Sequence, residues 1–253
     1  MTFDDMEKKL CSKLNNFFCK WHLLVGVADS CETGIKKFEI EFNDGKNIGS
    51  AVRLELKKYH RNESGVLRLI RTASKSFAVG KDEKNGVSLP WNTYLKQKDV
   101  KNQIIRFKHN RFNLVFLLGK AAYYHHKDIP LFLETVNGTC NDLLKAVALD
   151  AKETLYLAGA KALGLISTFI TTPLWRLLEE KGHILDMNEK YKMLMDFLQK
   201  AAMDAEIASS FTTGEQTPFN TVIEEDDKVC QFLTAPNDLV DEIAVPLLQN
   251  LFQ

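Results

Sequence analysis

The sequence predicts a mainly α-helical protein, an irregular multi-helix bundle with at most one or two short strands. Apolar residues recur at three- and four-residue steps along most of the chain, which is the spacing of one helix face. Turn signals such as Asn43-Asp44-Gly45 and Asn137-Gly138 separate these stretches. The chain has 253 residues, of which 45% are hydrophobic and 26% charged, so it can bury a sizeable core.

In the first half of the chain, the predicted helices have a clear apolar face and a recognisable start or end. The first ends at the Asn43 turn, and the third begins after the capping residue Ser64. Residues 80–90 combine charges with an Asn-Gly turn and are expected to form a loop, whereas residues 104–107 are the best strand candidate. Helices are predicted over residues 22–42, 50–59, 65–77 and 91–97.

The second half begins with the most hydrophobic third of the chain. Pro130 and Pro173 stand in the first turns of two predicted helices, where proline is tolerated. The alanines and glycines of residues 158–164 suit close contact with another helix. Residues 209–221 are rich in Ser, Thr, Gly and Pro and are expected to form the most mobile loop. Helices are predicted over residues 112–124, 128–136, 143–149, 155–169, 173–182, 186–205, 226–233 and 238–251.

We expect a single helical domain over residues 1–253, with two possible sub-units that differ in charge. These are a basic helical part at 1–100 and an apolar bundle with an acidic C-terminal end at 101–253. Residues 1–128 hold 24 Lys and Arg against 14 Asp and Glu, a balance of +10, whereas residues 129–253 hold 9 against 19, a balance of −10. The basic half is expected to attract phosphates, and the acidic half to attract a basic partner or the basic half of the same chain.

The N-terminal residues and the cysteines favour an intracellular protein. The chain opens with acidic residues rather than the basic region of a secretory signal. Its five cysteines are odd in number and widely scattered, which is typical of free thiols in a reducing compartment. No uninterrupted apolar run approaches the roughly 18 residues that cross a bilayer, so we expect no membrane partner.

The sequence carries no complete catalytic motif, and we predict that the protein is not an enzyme. It has no glycine-rich phosphate loop followed by Lys-Ser/Thr and no Gly-x-Ser-x-Gly nucleophile motif. Its glycines are too dispersed for a dinucleotide-binding fingerprint. No cofactor is therefore expected.

Metal binding is also poorly supported by the spacing of the candidate ligands. Cys19 and His22 are three residues apart, which places both on one face of a helix, but a zinc site requires two further ligands. His125 and His126 are adjacent and therefore point in different directions, so at most one of them is able to join. A buried Cys and a packed His explain the pair without a metal.

A run of cations is the best candidate for a nucleic-acid-binding site. Only Asp99 opposes it, and Phe107 and Phe112 alternate with its charges. Cations in such a run neutralise phosphates. The alternative is that the basic and acidic halves are solvated helix faces packed against each other. The run consists of Lys96, Lys98, Lys101, Arg106, Lys108 and Arg111.

Five segments, in this order, resemble a family of transposon-derived proteins related to the hAT-type transposases, whose catalytic core has a ribonuclease-H-like fold. The resemblance covers residues 16–191, and Cys19 and His22 match a Cys-x-x-His pair of that family. The segments are FFCKWHLLV at 17–25, SGVLRLIRTA at 64–73, NRFNLVF at 110–116, LYLAGAKALG at 155–164 and TPLWRLLE at 172–179.

The resemblance implies that the chain is the helical insertion that follows the Cys-x-x-His pair. In such transposases three carboxylates hold two divalent ions, and the resemblance would place two of them before Met1 and one after Gln253. No catalytic residue is therefore assigned. The leading hypothesis is a non-catalytic, transposase-derived helical domain that binds the DNA backbone, which implies a nuclear location.

The alternative hypothesis is a helical protein–protein interaction module with no nucleic-acid role, located in the cytoplasm. Its partner surface would be formed by the acidic half and the apolar helix pairs. Such a surface would bind another protein or a second copy of the chain.

Overall fold

The computed structural model describes residues 20–80, 86–108, 114–135, 141–179, 187–219 and 227–253, apart from the side chains of 20–25 and Leu178. Within these ranges the chain forms twelve α-helices and no β-strand, which confirms the predicted mainly α-helical fold. The helices are α1 (Lys20–Phe42), α2 (Gly65–Phe77), α3 (Ser88–Gln97), α4 (Leu114–Tyr124), α5 (Asp128–Thr135), α6 (Asp142–Asp150), α7 (Thr154–Ile166), α8 (Thr172–Glu179), α9 (Met187–Met203), α10 (Ala205–Thr213), α11 (Lys228–Thr234) and α12 (Asp238–Leu251).

Helix α7 lies at the centre of the bundle and contacts α2, α4, α10, α11 and α12. Small residues allow this crowding, as the sequence predicted. A Cβ added at Gly159 would lie 2.3 Å from Cγ2 of Val66 on α2. A Cβ at Gly119 on α4 would lie 2.6 Å from the Cβ of Leu163. Real Cβ atoms do not approach so closely, so glycine sets the spacing of both helix pairs.

The helix continues from α7 through one π-helical turn, residues 167–171, into α8. By length and composition the segment Thr154–Leu177 is apolar enough to cross a membrane, but 83% of its most apolar stretch is buried inside the protein. A helix that is apolar on all sides is expected at the centre of a bundle of this size.

One hydrophobic core includes residues from α1 to α12. At its C-terminal end the ring of Phe211 lies 5.5 Å from those of Phe169 and Phe252. The core also encloses Lys161 of α7, whose side chain is 0% exposed. Its ammonium group pairs with Asp241 of α12 and donates a hydrogen bond to the carbonyl of Ala235 at 3.2 Å.

The helix predicted over residues 50–59 is wrong in type, because two short 3₁₀ segments, Gly49–Val52 and Leu54–Tyr59, occupy this stretch. Of the apolar residues that suggested an α-helix, Leu56 is buried but Val52 and Leu54 are exposed, so they do not form one buried face. The backbone N–H of Gly49 donates to Glu153 at 3.1 Å instead of joining a longer helix.

The mobile loop predicted over residues 209–221 is also wrong for its first part, since α10 runs to Thr213. Asp204 caps this helix by accepting a hydrogen bond from the N–H of Glu206 at 2.8 Å. Phe211 is fully buried, and Gly214, at φ 80°, ends the helix. Packing of Phe211 therefore overrides the low helix propensity of the Ser and Thr residues. Residues 220 and 221 lie outside the described ranges.

Candidate functional site

The basic segment, residues 96–108, carries five of the six cations predicted to bind nucleic acid. Their side chains are all exposed. The segment begins in the last turn of α3 and continues without regular secondary structure after Asp99, whose φ of 54° turns the chain away from the helix. The five residues are Lys96, Lys98, Lys101, Arg106 and Lys108; the sixth, Arg111, lies outside the described residues.

Hydrogen bonds to side chains of Ser74 on α2 and of His125, which directly follows α4, hold the second part of the basic segment. The hydroxyl of Ser74 donates to the carbonyl of Ile105 and accepts from the N–H of Phe107, both at 2.7 Å. The N–H of Gln103 donates to Nε2 of His125 at 3.1 Å. The strand predicted at residues 104–107 is therefore wrong: side chains, rather than a neighbouring strand, satisfy these backbone groups.

A cluster of buried rings anchors α3, and with it the start of the basic segment. Trp91 is fully buried, and its ring lies 4.7 Å from Phe77, 5.2 Å from Phe132 and 5.4 Å from His125. Tyr94 packs against Trp91 with ring centroids 5.8 Å apart. These rings stabilise the core, and within the described residues the basic segment presents no fully exposed aromatic face.

One cation of the basic segment forms an ion pair within the protein. Nζ of Lys98 lies 2.7 Å from Oδ1 of Asp128, the first residue of α5, and 4.7 Å from the ring centroid of Tyr94. The hydrogen bond to Asp128 raises the pKa of Lys98. Among the ion pairs that the described residues form, this is the one that involves a cation of the basic segment.

His125 connects the same aspartate to the middle of the basic segment. Because its Nε2 accepts the N–H of Gln103, the ring carries its proton on Nδ1, which lies 3.9 Å from Oδ2 of Asp128. This distance is too long for a hydrogen bond, and Nδ1 has no other partner in the described part of the chain. Burial lowers the pKa of His125 to about 4, so the imidazole is neutral at physiological pH.

The acidic half of the chain forms ion pairs with other parts of the basic half. The strongest geometry is that of Arg68 on α2, whose guanidinium donates two hydrogen bonds of 2.9 Å to the buried Asp150 on α6. Within the described ranges, the pairs between residues before and after position 128 are Lys58–Asp142 and Arg68–Asp150.

A buried polar network surrounds Arg68 and was not predicted from the sequence. Asp150 also accepts hydrogen bonds from the N–H of Ser50 at 2.7 Å and from its hydroxyl at 3.0 Å. The hydroxyl of Tyr156 accepts from Arg68 at 3.0 Å and donates to the carbonyl of Ile48 at 3.2 Å. Because these groups satisfy one another, the network attaches the first 3₁₀ segment, Gly49–Val52, to the bundle and has a structural role.

Two glutamates of α1 hold the first turn of α2. Glu39 accepts hydrogen bonds from the N–H groups of Gly65 at 2.7 Å and Val66 at 3.0 Å. Glu32 accepts from both the N–H and the hydroxyl of Ser64 at 2.7 Å. Burial raises the pKa of Glu39 to about 7, although the two backbone hydrogen bonds act in the opposite direction.

The two adjacent histidines that were considered as metal ligands lie in different surroundings. His125 lies in the Trp91 cluster, whereas His126 stacks on Tyr123 at 4.8 Å and bonds its carbonyl through Nδ1 at 2.6 Å, so the prediction that the two histidines diverge is confirmed. Cys19 and the side chain of His22 lie outside the described residues. The described residues contain no group of three His, Cys, Asp or Glu side chains that could hold a metal ion.

No family model, curated protein or solved structure matches the chain. The resemblance to hAT-type transposases therefore stays a prediction from the five sequence segments.

Proposed function

We propose that this protein is a non-catalytic helical domain, derived from a hAT-like transposase, that binds the phosphate backbone of DNA through the basic segment. One observation carries the proposal: five cations are exposed along a short stretch of chain whose backbone is fixed to the core. Lys101 and Arg106 lie on either side of Ile104, which is buried and 4% exposed. Such a segment offers charges to a ligand without the entropic cost of ordering a free loop.

The mechanism is electrostatic. Cations that neutralise phosphates release condensed counterions, so the logarithm of the binding constant falls linearly with the logarithm of salt, by roughly 0.9 per duplex phosphate contacted. Lys98 is left out because it is already paired with Asp128. The other four cations of the basic segment correspond to a slope of roughly −3.6 when the logarithm of the binding constant is plotted against the logarithm of the salt concentration. Since no exposed ring is available for base stacking in the described segment, we expect little dependence on base sequence.

The experiment is a fluorescence anisotropy titration of a labelled duplex at a series of salt concentrations. We expect binding at low salt that weakens steeply as salt rises. The variant Lys101→Glu/Arg106→Glu reverses two charges of the basic segment and should abolish most of the binding. The matched control, Lys192→Glu/Lys200→Glu on α9, changes the net charge equally at two exposed positions elsewhere. Equal weakening by both variants, or a flat salt dependence, would refute the proposal.

The competing proposal is a protein-interaction module with a cytoplasmic location. Exposed methionines on α9 favour it, because Met195 is 52% and Met203 is 91% exposed, and flexible thioether side chains suit protein contacts. Absence of DNA binding at low salt, together with concentration-dependent association in sedimentation velocity, would support this function instead.

A further inference from the structure

We propose that Asp128 is an internal competitor of phosphate for Lys98, and that it limits how tightly the basic segment binds nucleic acid. This inference rests on the proposed function and concerns the regulation of the same site.

The first observation is the position of the pair. A carboxylate oxygen 2.7 Å from the ammonium of Lys98 makes the charge-assisted hydrogen bond that a phosphate oxygen would make. Lys98 is 40% exposed and Asp128 18% exposed, so the ion pair lies at the surface within reach of a ligand. Lys96, Lys101 and Arg106 have no comparable carboxylate within the described part of the chain.

The second observation is that Asp128 is held in place. Its N–H donates to the carbonyl of His125 at 3.0 Å, and its side chain lies between Lys98 and the buried ring of His125. His125 in turn bonds the N–H of Gln103. The carboxylate is therefore fixed next to the basic segment, rather than being carried there by a mobile loop.

The consequence is a competition between two anions for one cation. Asp128 occupies one of the three donors of the Lys98 ammonium group and neutralises its charge, so a phosphate gains less from this lysine, and the fixed carboxylate repels the ligand. Lys98 should therefore contribute little to binding in the natural protein, although it lies in the basic segment. Removing the negative charge of Asp128 should release Lys98 and add one phosphate contact.

The test is a double-mutant cycle with Asp128→Asn, Lys98→Gln and the double variant, each titrated against a duplex oligonucleotide over a salt series. Asp128→Asn should tighten binding about two- to five-fold at low salt, the range expected for an exposed ion pair. Asp128→Asn should also make the dependence of the logarithm of the binding constant on the logarithm of salt steeper by about 0.9. Both effects should disappear when Asp128→Asn is combined with Lys98→Gln. Lys98→Gln alone should change binding much less than Lys101→Gln does.

The matched control is Asp99→Asn, which removes a charge from the same segment without releasing a lysine; its effect should be the same with and without Lys98. Circular dichroism melts establish that each variant folds. If Asp128→Asn acts equally in both backgrounds, Asp128 is only one more negative charge and this inference is wrong, whereas the proposed function stands. If neither the natural protein nor Asp128→Asn binds at low salt, both are wrong.

Discussion

Glu39 makes the stability of this fold depend on pH in a direction that is unusual for a carboxylate. Its pKa is raised from 4.5 to about 7, mainly by burial, despite hydrogen bonds from Gly65 and Val66 and the positive charge of Arg68. A raised folded pKa means that the folded state binds the proton more tightly than the unfolded chain does. The contribution to stability is thus complete below pH 4.5 and is lost as the pH rises through 7.

Linkage gives the magnitude. The rise of the Glu39 pKa from 4.5 to about 7 corresponds to about 3.4 kcal/mol of unfolding free energy at low pH, of which about 2.5 kcal/mol is lost between pH 5 and pH 8. The variant Glu39→Gln keeps one oxygen to accept from the first turn of α2 but carries no charge at any pH. We therefore expect its free energy of unfolding, relative to the natural protein, to rise by about 2.5 kcal/mol between pH 5 and pH 8.

Urea denaturation followed by circular dichroism at several pH values measures this difference. Contributions from other titrating groups, including His125, occur in both proteins and cancel. A constant difference between the two proteins across this range would refute the reasoning, because it would mean that the hydrogen bonds to α2 compensate for the burial of the carboxylate.

Three further predictions concern the core. Replacing Asp150 by Asn removes the carboxylate that accepts both hydrogen bonds of the buried Arg68 guanidinium and should cost about 3–5 kcal/mol of unfolding free energy in urea titrations. A loss below about 1 kcal/mol would show that the pair is not needed. Gly159→Ala should cost about 1–3 kcal/mol because its Cβ meets Val66, and the smaller Val66→Ala side chain should recover part of that loss when the two are combined. Because burial lowers the pKa of His125 to about 4, the unfolded chain binds a proton at this residue more readily than the folded protein does, and the free energy of unfolding should fall as the pH falls from 6.5 to 4. In His125→Gln this decrease should be smaller, as urea titrations at several pH values would measure.

Local chemistry made the helix boundaries predictable where a single residue determines them. Ser64 was recognised as a cap, and its hydroxyl accepts from the N–H of Leu67 at 3.1 Å. The Asn43 turn ends α1 as expected, since α1 stops at Phe42. Where tertiary contacts determine the backbone, the predictions failed. The Ser- and Thr-rich stretch around Phe211 is helical because the ring of Phe211 packs in the core.

The sequence left open whether the cations of the basic segment are exposed, as the structure shows for the five described ones, and it did not indicate how the segment is attached to the bundle. Ser74 lies 31 residues from Ile105, Asp128 lies 30 residues from Lys98, and His125 lies 22 residues from Gln103. No periodicity within one chain segment specifies such pairs, because they depend on how α2, α4 and α5 pack. The same holds for Arg68 and Asp150, which are 82 residues apart.

The ion pair in the centre of the bundle constrains when this protein folds during its synthesis. Lys161 of α7 reaches its partners, Asp241 and the carbonyl of Ala235, only after some eighty further residues have been added to the chain. Until then, closing the core around α7 would bury an uncompensated ammonium group, which costs several kcal/mol. We therefore expect the bundle to complete its packing around Lys161 only after α12 has emerged from the ribosome.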